Sequence, residues 1–170
     1  MKMYAITGAC GSGKSTMRDA LAGLLDETRY ACIDTDELGF NWWDYAGTER
    51  EPEYKSDCLK EAARRAAGRD LVFSSCLNPQ DYIAGMKIPE EIDATFFIVL
   101  NPSDDTIWER LRARPAERLF TSDDIIRPHV EYNAWFRRNR GKFQLHIDNS
   151  DMPEAETARM IEEFIKRVEK

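Results

Sequence analysis

Nine residues near the N-terminus, GACGSGKST from Gly8 to Thr16, constrain this 170-residue chain more than any other stretch. They match G-x-x-x-x-G-K-[ST] in full through Gly8, Gly13, Lys14 and Ser15. The apolar run MYAIT (Met3–Thr7) precedes them, and apolar residues at helical spacing follow from Lys14 to Leu25. Strand, glycine loop and helix in that order aim successive backbone N–H groups and a helix N-terminus at one point, a seat for an anion. Gly8, Ala9, Cys10, Gly11, Ser12, Gly13, Lys14, Ser15 and Thr16 are therefore the expected phosphate-binding residues. Lys14 would reach the β- and γ-phosphates and the Ser15 hydroxyl would ligate Mg²⁺, with ATP as the expected nucleotide. A glycine-rich turn with no ligand is the competing reading, and the complete motif in a strand-to-helix setting argues against it. No guanine-reading N-K-x-D pattern occurs.

Four more apolar, β-rich runs follow: Tyr30–Asp34, Leu71–Ser75, Thr95–Leu100 and Phe143–Ile147. Helical patterns separate them at Glu53–Ala67, stopped by Gly68, and at Ser103–Ala113, Asp123–Asn139 and Glu154–Val168. Ser103 reads as an N-cap and Pro153 as a first helical residue. Pro128 should break or kink the fourth pattern, so that helix is expected to begin near His129. Strands alternating with helices predict a parallel sheet covered on both faces. With no repeat, low-complexity tract or linker, residues 1–170 read as one domain.

Composition fits a globular chain, 42% hydrophobic and 32% charged. No apolar run approaches the roughly 20 residues that span a bilayer, and the N-terminus enters a strand directly, so no membrane partner and a cytoplasmic location are expected. Cys10, Cys32, Cys58 and Cys76 lack C-x-x-C spacing and read as reduced. The net charge of −7 argues against a large non-specific nucleic-acid surface. Nine Lys/Arg stand against five Asp/Glu between Trp108 and Lys142, however, which leaves room for a local anion site.

A motor or switch ATPase needs an apolar strand ending in an acid, to hold metal and activate water. The third strand instead ends LVFSSCLNP, with Ser74 and Ser75 at that place. Arginines follow the fourth strand in WERLRARPAER: Arg110, Arg112, Arg114 and Arg118. On these features the chain resembles the small P-loop kinases, which include nucleoside monophosphate, shikimate and gluconate kinases and polynucleotide 5′-kinases. The resemblance spans nearly the whole chain, with specific motifs concentrated in the phosphate loop. It implies a three-layer α/β/α P-loop kinase fold, a five-stranded sheet ordered 2-3-1-4-5, and an arginine lid over about residues 112–127. A lid closes charge onto a loose phosphoryl transition state and excludes water. Arg114, before Pro115, is the first candidate for that role and Arg110 the second; a solvated helix face is the alternative for some of these arginines.

The stretch IDTDELGFNWWDY (Ile33–Tyr45) bears on the acceptor. A phosphate acceptor is already an anion, whereas an alcohol benefits from a carboxylate that takes its proton. In the hydroxyl-directed members of the family an acid follows the second strand, and Asp34-Thr35-Asp36 matches that placement. Strand alternation would put Asp34 and Asp36 on one side. Asp36 is the expected base and Asp34 the expected metal or orienting ligand; a strand end and a helix cap are the alternatives. Neither the D-G-[FY]-P-R segment of monophosphate kinases nor the Gly-Gly-Gly run of the shikimate type follows the third strand. The SSCLNP segment and the phosphate loop are similar instead to those of phage-type polynucleotide 5′-kinases. Two departures stand out, Ser74 where those enzymes carry Asp and Leu38 where they carry Arg.

Trp42 and Trp43 are candidates to stack a nucleobase, with a hydrophobic cover as the alternative, and Ser75 and Asn78 are candidates to touch the substrate. RRNRGK (Arg137–Lys142) reads as a solvated helix end stopped by Gly141, or as a contact for nucleic-acid phosphates. His129 and His146 are isolated; Asn149 lies where relatives in the family contact adenine. The expected activity is transfer of the ATP γ-phosphate to a hydroxyl of a nucleotide, a DNA or RNA end, or a modified base. A small-metabolite or monophosphate kinase is the alternative within enzymes, and a non-catalytic ATP-binding switch the alternative outside them.

Overall fold

The computed structural model describes residues 1–169. Five strands, β1 (Lys2–Thr7), β2 (Tyr30–Asp34), β3 (Asp70–Ser74), β4 (Ala94–Leu100) and β5 (Leu145–Ile147), form one sheet in the order β2-β3-β1-β4-β5. Every adjacent pair is parallel. The helices are α1 (Lys14–Leu24), α2 (Tyr54–Ala66), α3 (Pro79–Ile83), α4 (Asp104–Arg112), α5 (Asp123–Arg138) and α6 (Glu154–Val168).

Alternation along the strands explains the layers. Met3, Ala5, Ile33, Phe73 and Val99 pack on one face with Cys58, Leu59 and Ala62 of α2 and Phe136 of α5. Tyr4, Ile6, Val72, Ile98 and Leu100 point the other way, onto Met17 and Leu21 of α1 and Ala158, Ile161 and Ile165 of α6. Both faces must bury apolar side chains, so the strands read as continuous apolar runs. The expected fold class and strand order hold. Chain crossings run from β1 to β2 and β3 on one side, then to β4 and β5 on the other. That reversal opens a crevice at the carboxyl ends of the central strands.

Three local expectations are corrected. Helix α5 runs from Asp123 straight through Pro128 and does not begin near His129. Proline stands in the second turn on the exposed side, so its missing N–H leaves only the Asp124 carbonyl unpaired, where water reaches it. The same helix ends at Arg138, with Asn139 as C-cap and a 3-10 turn over Arg140–Lys142, ahead of Gly141. Pro153 is the N-cap of α6, not its first residue. Ser103 caps α4 as expected, its hydroxyl accepting from the Thr106 N–H at 3.1 Å. Among the described residues no helix is long and apolar enough to cross a membrane, and all four cysteines are free.

Candidate active site

The glycine loop joins β1 to α1. Gly8 has φ 149°, and a Cβ there would sit 2.5 Å from both the Leu100 carbonyl oxygen and Ser12 Oγ, so the position admits only glycine. Gly13 takes the left-handed region, φ 98° and ψ 19°, as N-cap of α1, which turns the first amides of the helix to the loop. Lys14 Nζ donates to the Gly8 and Ala9 carbonyls at 2.9 Å each. The ammonium thus lies across the loop that it would share with a phosphate.

Asp34 closes β2 and is buried; Ser74 is its register partner on β3. The strand ends there, so alternation does not carry on to Asp36. A 3-10 turn over Thr35–Glu37 follows, capped by Asp34 Oδ1, which accepts from the Asp36 N–H at 2.9 Å. Glu37 returns the bond, accepting from the Asp34 N–H at 2.9 Å, and Arg18 holds Glu37 at 3.0 Å. Thr35 donates to the Ser74 carbonyl at 3.0 Å, and Arg65 of α2 donates to the Glu37 and Leu38 carbonyls at 2.9 and 3.2 Å. Six hydrogen bonds and ion pairs therefore fix this turn, reaching it from β2, α1, β3 and α2. Asp36 is exposed at its tip, and its carboxylate takes no hydrogen bond or ion pair from the described residues.

A cavity of about 220 Å³ unites these parts. Gly11, Gly13, Lys14 and Ser15 border it at the glycine loop, Asp34 and Asp36 at the end of the second strand and the turn after it, and Arg114 from the segment after α4. Its far wall is Tyr54, Lys55 and Cys58 of α2 with Phe73, Ser75 and Leu77 from β3 and beyond. The α2 residues were not foreseen, because docking of that helix and no local motif brings them here. Burial pushes the Cys58 thiol up to about 11, so it stays protonated. Burial also raises the Tyr54 hydroxyl well above the tyrosine range, with Cys58 and then Cys76 and Asp36 adding to the shift.

Mg²⁺ fits this donor set. Asp34 Oδ2 is buried with no hydrogen-bond partner among the described residues, and Ser15 borders the same cavity, giving hard oxygen ligands to complement a nucleotide's phosphates. Among the described residues no cluster of three or more His, Cys, Asp or Glu is placed to hold a metal by itself.

A second recess flanks the loop on the α6 side, bordered by Gly13, Thr16, Arg110, Asn149, Met152 and Thr157. Arg110 is not a lid residue. It lies inside α4 and donates to the Gly11, Ser12 and Asn149 carbonyls at 3.3, 3.5 and 3.2 Å. Asn149 Nδ2 donates to the Ser12 carbonyl at 2.9 Å, which leaves its buried Oδ1 without a partner among the described residues. An unpaired acceptor beside the phosphate loop suits an exocyclic amine such as that of adenine.

Arg114 stands just past α4 and borders both recesses. Its guanidinium lies 5.2 Å from the Phe120 ring centroid, and Phe120 meets His129 of α5 edge-on at 5.2 Å. His129 is thus no isolated histidine. Burial, then the Arg114 and Lys14 charges, hold it below its ordinary range. Arg112 faces away, paired with Asp123 at 2.9 Å.

Several candidates fall outside the cavity. Trp42 meets Tyr54 edge-on at 5.2 Å and borders an outer groove; Trp43 is 71% exposed. Tyr54 takes the wall position that the tryptophans were expected to occupy. Asn78 caps α3, accepting from the Gln80 N–H at 2.8 Å, and donates to the Tyr132 hydroxyl at 2.9 Å. Ser74 borders the cavity, but its Oγ donates to the Lys14 carbonyl at 3.1 Å; Leu38 is buried in the core. Arg137 is spent on Asp104 at 2.6 Å and Lys142 on the Trp135 ring. Half-buried His146 bonds Asn101 Oδ1 at 3.0 Å.

Phosphate loop, crevice and sheet order together define a P-loop α/β domain. A family profile described as AAA domain matches residues 5–124, and the chain belongs to that family. No curated protein matches it by sequence. Among solved structures it is similar to shikimate kinase from Acinetobacter baumannii, with TM-score 0.66 and 16% identity over 98% of this chain and 94% of that one. Deoxyadenosine kinase from M. mycoides gives TM-score 0.61 and 15% identity over 97% and 99%. A gluconokinase from Sinorhizobium meliloti 1021 gives 0.59 and 18% over 98% and 97%. At such identities the likeness establishes the shared fold.

Proposed function

We propose that the protein is an ATP-dependent kinase that transfers the γ-phosphoryl group to a hydroxyl. The observation that carries this reading is Asp36, an unpaired carboxylate on a fixed turn in the same cavity as Lys14 and Ser15. Nucleotide binding alone has no use for such a group. ATP would lie with its phosphates in the Gly8–Thr16 loop and its base in the recess by Asn149. Asp36 would take the proton of the acceptor hydroxyl as its oxygen bonds to the γ-phosphorus and the bond to the β,γ-bridging oxygen breaks, releasing ADP. Lys14 and Arg114 would hold the charge that spreads over the transferred group. Mg²⁺, held by Ser15 and Asp34, would supply charge neutralisation between the β- and γ-phosphates.

For the acceptor, half-buried Tyr54 supports a ring-bearing alcohol such as a nucleoside or nucleotide, its ring able to pack against a planar or cyclic group. A small metabolite alcohol fits the same space, and the folds shared with shikimate and gluconate kinases favour it equally. A DNA or RNA end, or a modified base, would need the outer groove bordered by Trp42 in addition.

The test incubates the protein with γ-labelled ATP and Mg²⁺ against deoxynucleosides, nucleoside monophosphates, 5′-OH oligonucleotides, hydroxymethylpyrimidine DNA, shikimate and gluconate. Label on a hydroxyl compound, lost in Asp36→Asn, is the expected result. Transfer to no acceptor, with ATP bound equally by the wild type and Asp36→Asn, would sink the kinase reading in favour of a nucleotide-binding switch.

A further inference from the structure

The cavity and the outer groove share one charged wall residue, Lys55 of α2. Its Nζ donates to Asp81 Oδ1 of α3 at 2.7 Å. Asp81 is itself fixed, since Oδ2 accepts from the Asn78 N–H at 2.8 Å and closes the capping box of α3. The carboxylate is anchored by its own helix start and in turn anchors the ammonium. Lys55 makes no other hydrogen bond among the described residues, so two of its three N–H donors are open to a ligand.

Lys14 and Arg114 are the other cations bordering the cavity, and both belong to the ATP phosphate side. Among the described residues Lys55 is thus the one cation of the cavity placed to meet the acceptor. Alone it would be a seat for an acid or a phosphate. Countered by a fixed carboxylate that borders the groove, it adds no net charge where cavity and groove meet, and a donor and an acceptor stand side by side there instead. A vicinal diol or an amide edge has that same pairing. The groove beyond adds no positive field: Arg50 and Lys87 stand against Glu51, Glu53 and Asp57, and Arg50 is spent on Glu53 at 3.1 Å and Asp57 at 3.3 Å. An anionic acceptor would meet Asp81 with no surplus cation to offset the repulsion.

We propose that the Lys55–Asp81 pair reads the acceptor, selecting a neutral molecule with neighbouring hydroxyl or amide groups over its carboxylated or phosphorylated counterpart. This rests on the kinase reading above and narrows its acceptor class.

The experiment compares matched pairs that differ in the charged group and keep their diol and acceptor hydroxyls, uridine with its 6-carboxylate orotidine and glucuronamide with glucuronate, in transfer assays and in calorimetric binding with ADP present. The neutral member of each pair is expected to lead by at least about tenfold in kcat/KM or affinity. Asp81→Asn releases the ammonium charge and should shift that ratio about tenfold toward the anionic member, through acceptor KM and with the KM for ATP unchanged. Because this change also touches the α3 cap, Lys55→Gln is the second variant; it should weaken the neutral acceptor about tenfold at unchanged Tm. A purely structural pair would move Tm and the KM for ATP and leave the ratio alone. Preference of the wild type for the anionic members, or an unchanged ratio in both variants, would overturn the inference and leave phosphoryl transfer standing. Transfer to none of them would overturn the kinase reading, and the ADP-bound affinities would then still decide for or against the pair.

Discussion

Arg110 and Asn149 close on the same carbonyl, that of Ser12, and bond each other through the Asn149 carbonyl at 3.2 Å. The phosphate loop is thereby held to the segment after β5 before any nucleotide arrives. Asn149→Leu should raise the KM for ATP roughly tenfold and narrow the preference for ATP over GTP, since it removes both the Ser12 anchor and the free Oδ1. Loss of the shorter of the two bonds to the Ser12 carbonyl should also cost about 0.5–1.5 kcal/mol of stability. Steady-state kinetics with both nucleotides and a urea melt check the two parts.

Asp36 should separate chemistry from binding. Its carboxylate has no partner to lose, so Asp36→Asn should leave stability within about 0.5 kcal/mol of wild type. Turnover should fall roughly 10²- to 10⁴-fold at an unchanged KM for ATP. Equal turnover on any alcohol would remove Asp36 as base.

Asp34 caps the turn with one oxygen and would offer the other to Mg²⁺ on the proposed reading, and two substitutions divide the two roles. Asp34→Asn keeps an acceptor for the Asp36 N–H and should chiefly raise the Mg²⁺ concentration needed for half-maximal rate. Asp34→Ala also removes the cap and should cost about 1 kcal/mol more in stability. Magnesium titrations and thermal melts of the two variants make the comparison.

Both histidines should make the protein less stable in mild acid. Each is held below its ordinary 6.5, by burial first, and then by Arg114 and Lys14 for His129 and by Arg140 for His146. The unfolded chain therefore takes up protons near 6.5 that the folded chain takes up only at lower pH. Stability should be flat above 6.5 and fall below it, at up to about 1.4 kcal/mol per pH unit for each ring. Asp26, Glu61 and Asp148, whose carboxyls are lowered, act in the same direction at still lower pH. Denaturant melts across the range, repeated on His129→Gln, should show the slope and its partial loss.

The sheet was legible because its signals are local. Each strand announces itself as an apolar run, and the loop motif fixes β1, α1 and the turn between them. Helix α3 was not legible: its five residues are too few to display a period, and Asn78 and Pro79 look like a bare turn. Pro128 misled because its cost depends on which turn of the helix it occupies, which sequence alone does not say. In the site, Gly8–Thr16 and Asp34–Asp36 could be found because motif and strand end lie beside the chemistry. Tyr54 and Lys55 could not, since their place depends on how α2 docks on β2 and β3. The same holds for Phe120, which joins Arg114 to His129 only once α5 has packed.

The turn that carries Asp36 is clamped by Arg18, Arg65 and Asp34, whereas the wall opposite it is made of Tyr54, Lys55 and Cys58 near the start of α2 with Phe73, Ser75 and Leu77, none of which takes part in that clamp. Donor machinery and acceptor wall are in this sense separate modules on one scaffold. Redesign at positions 54, 55 and 58 could therefore retarget the protein to a new alcohol while the groups that handle ATP stay untouched, and natural divergence has the same route open to it.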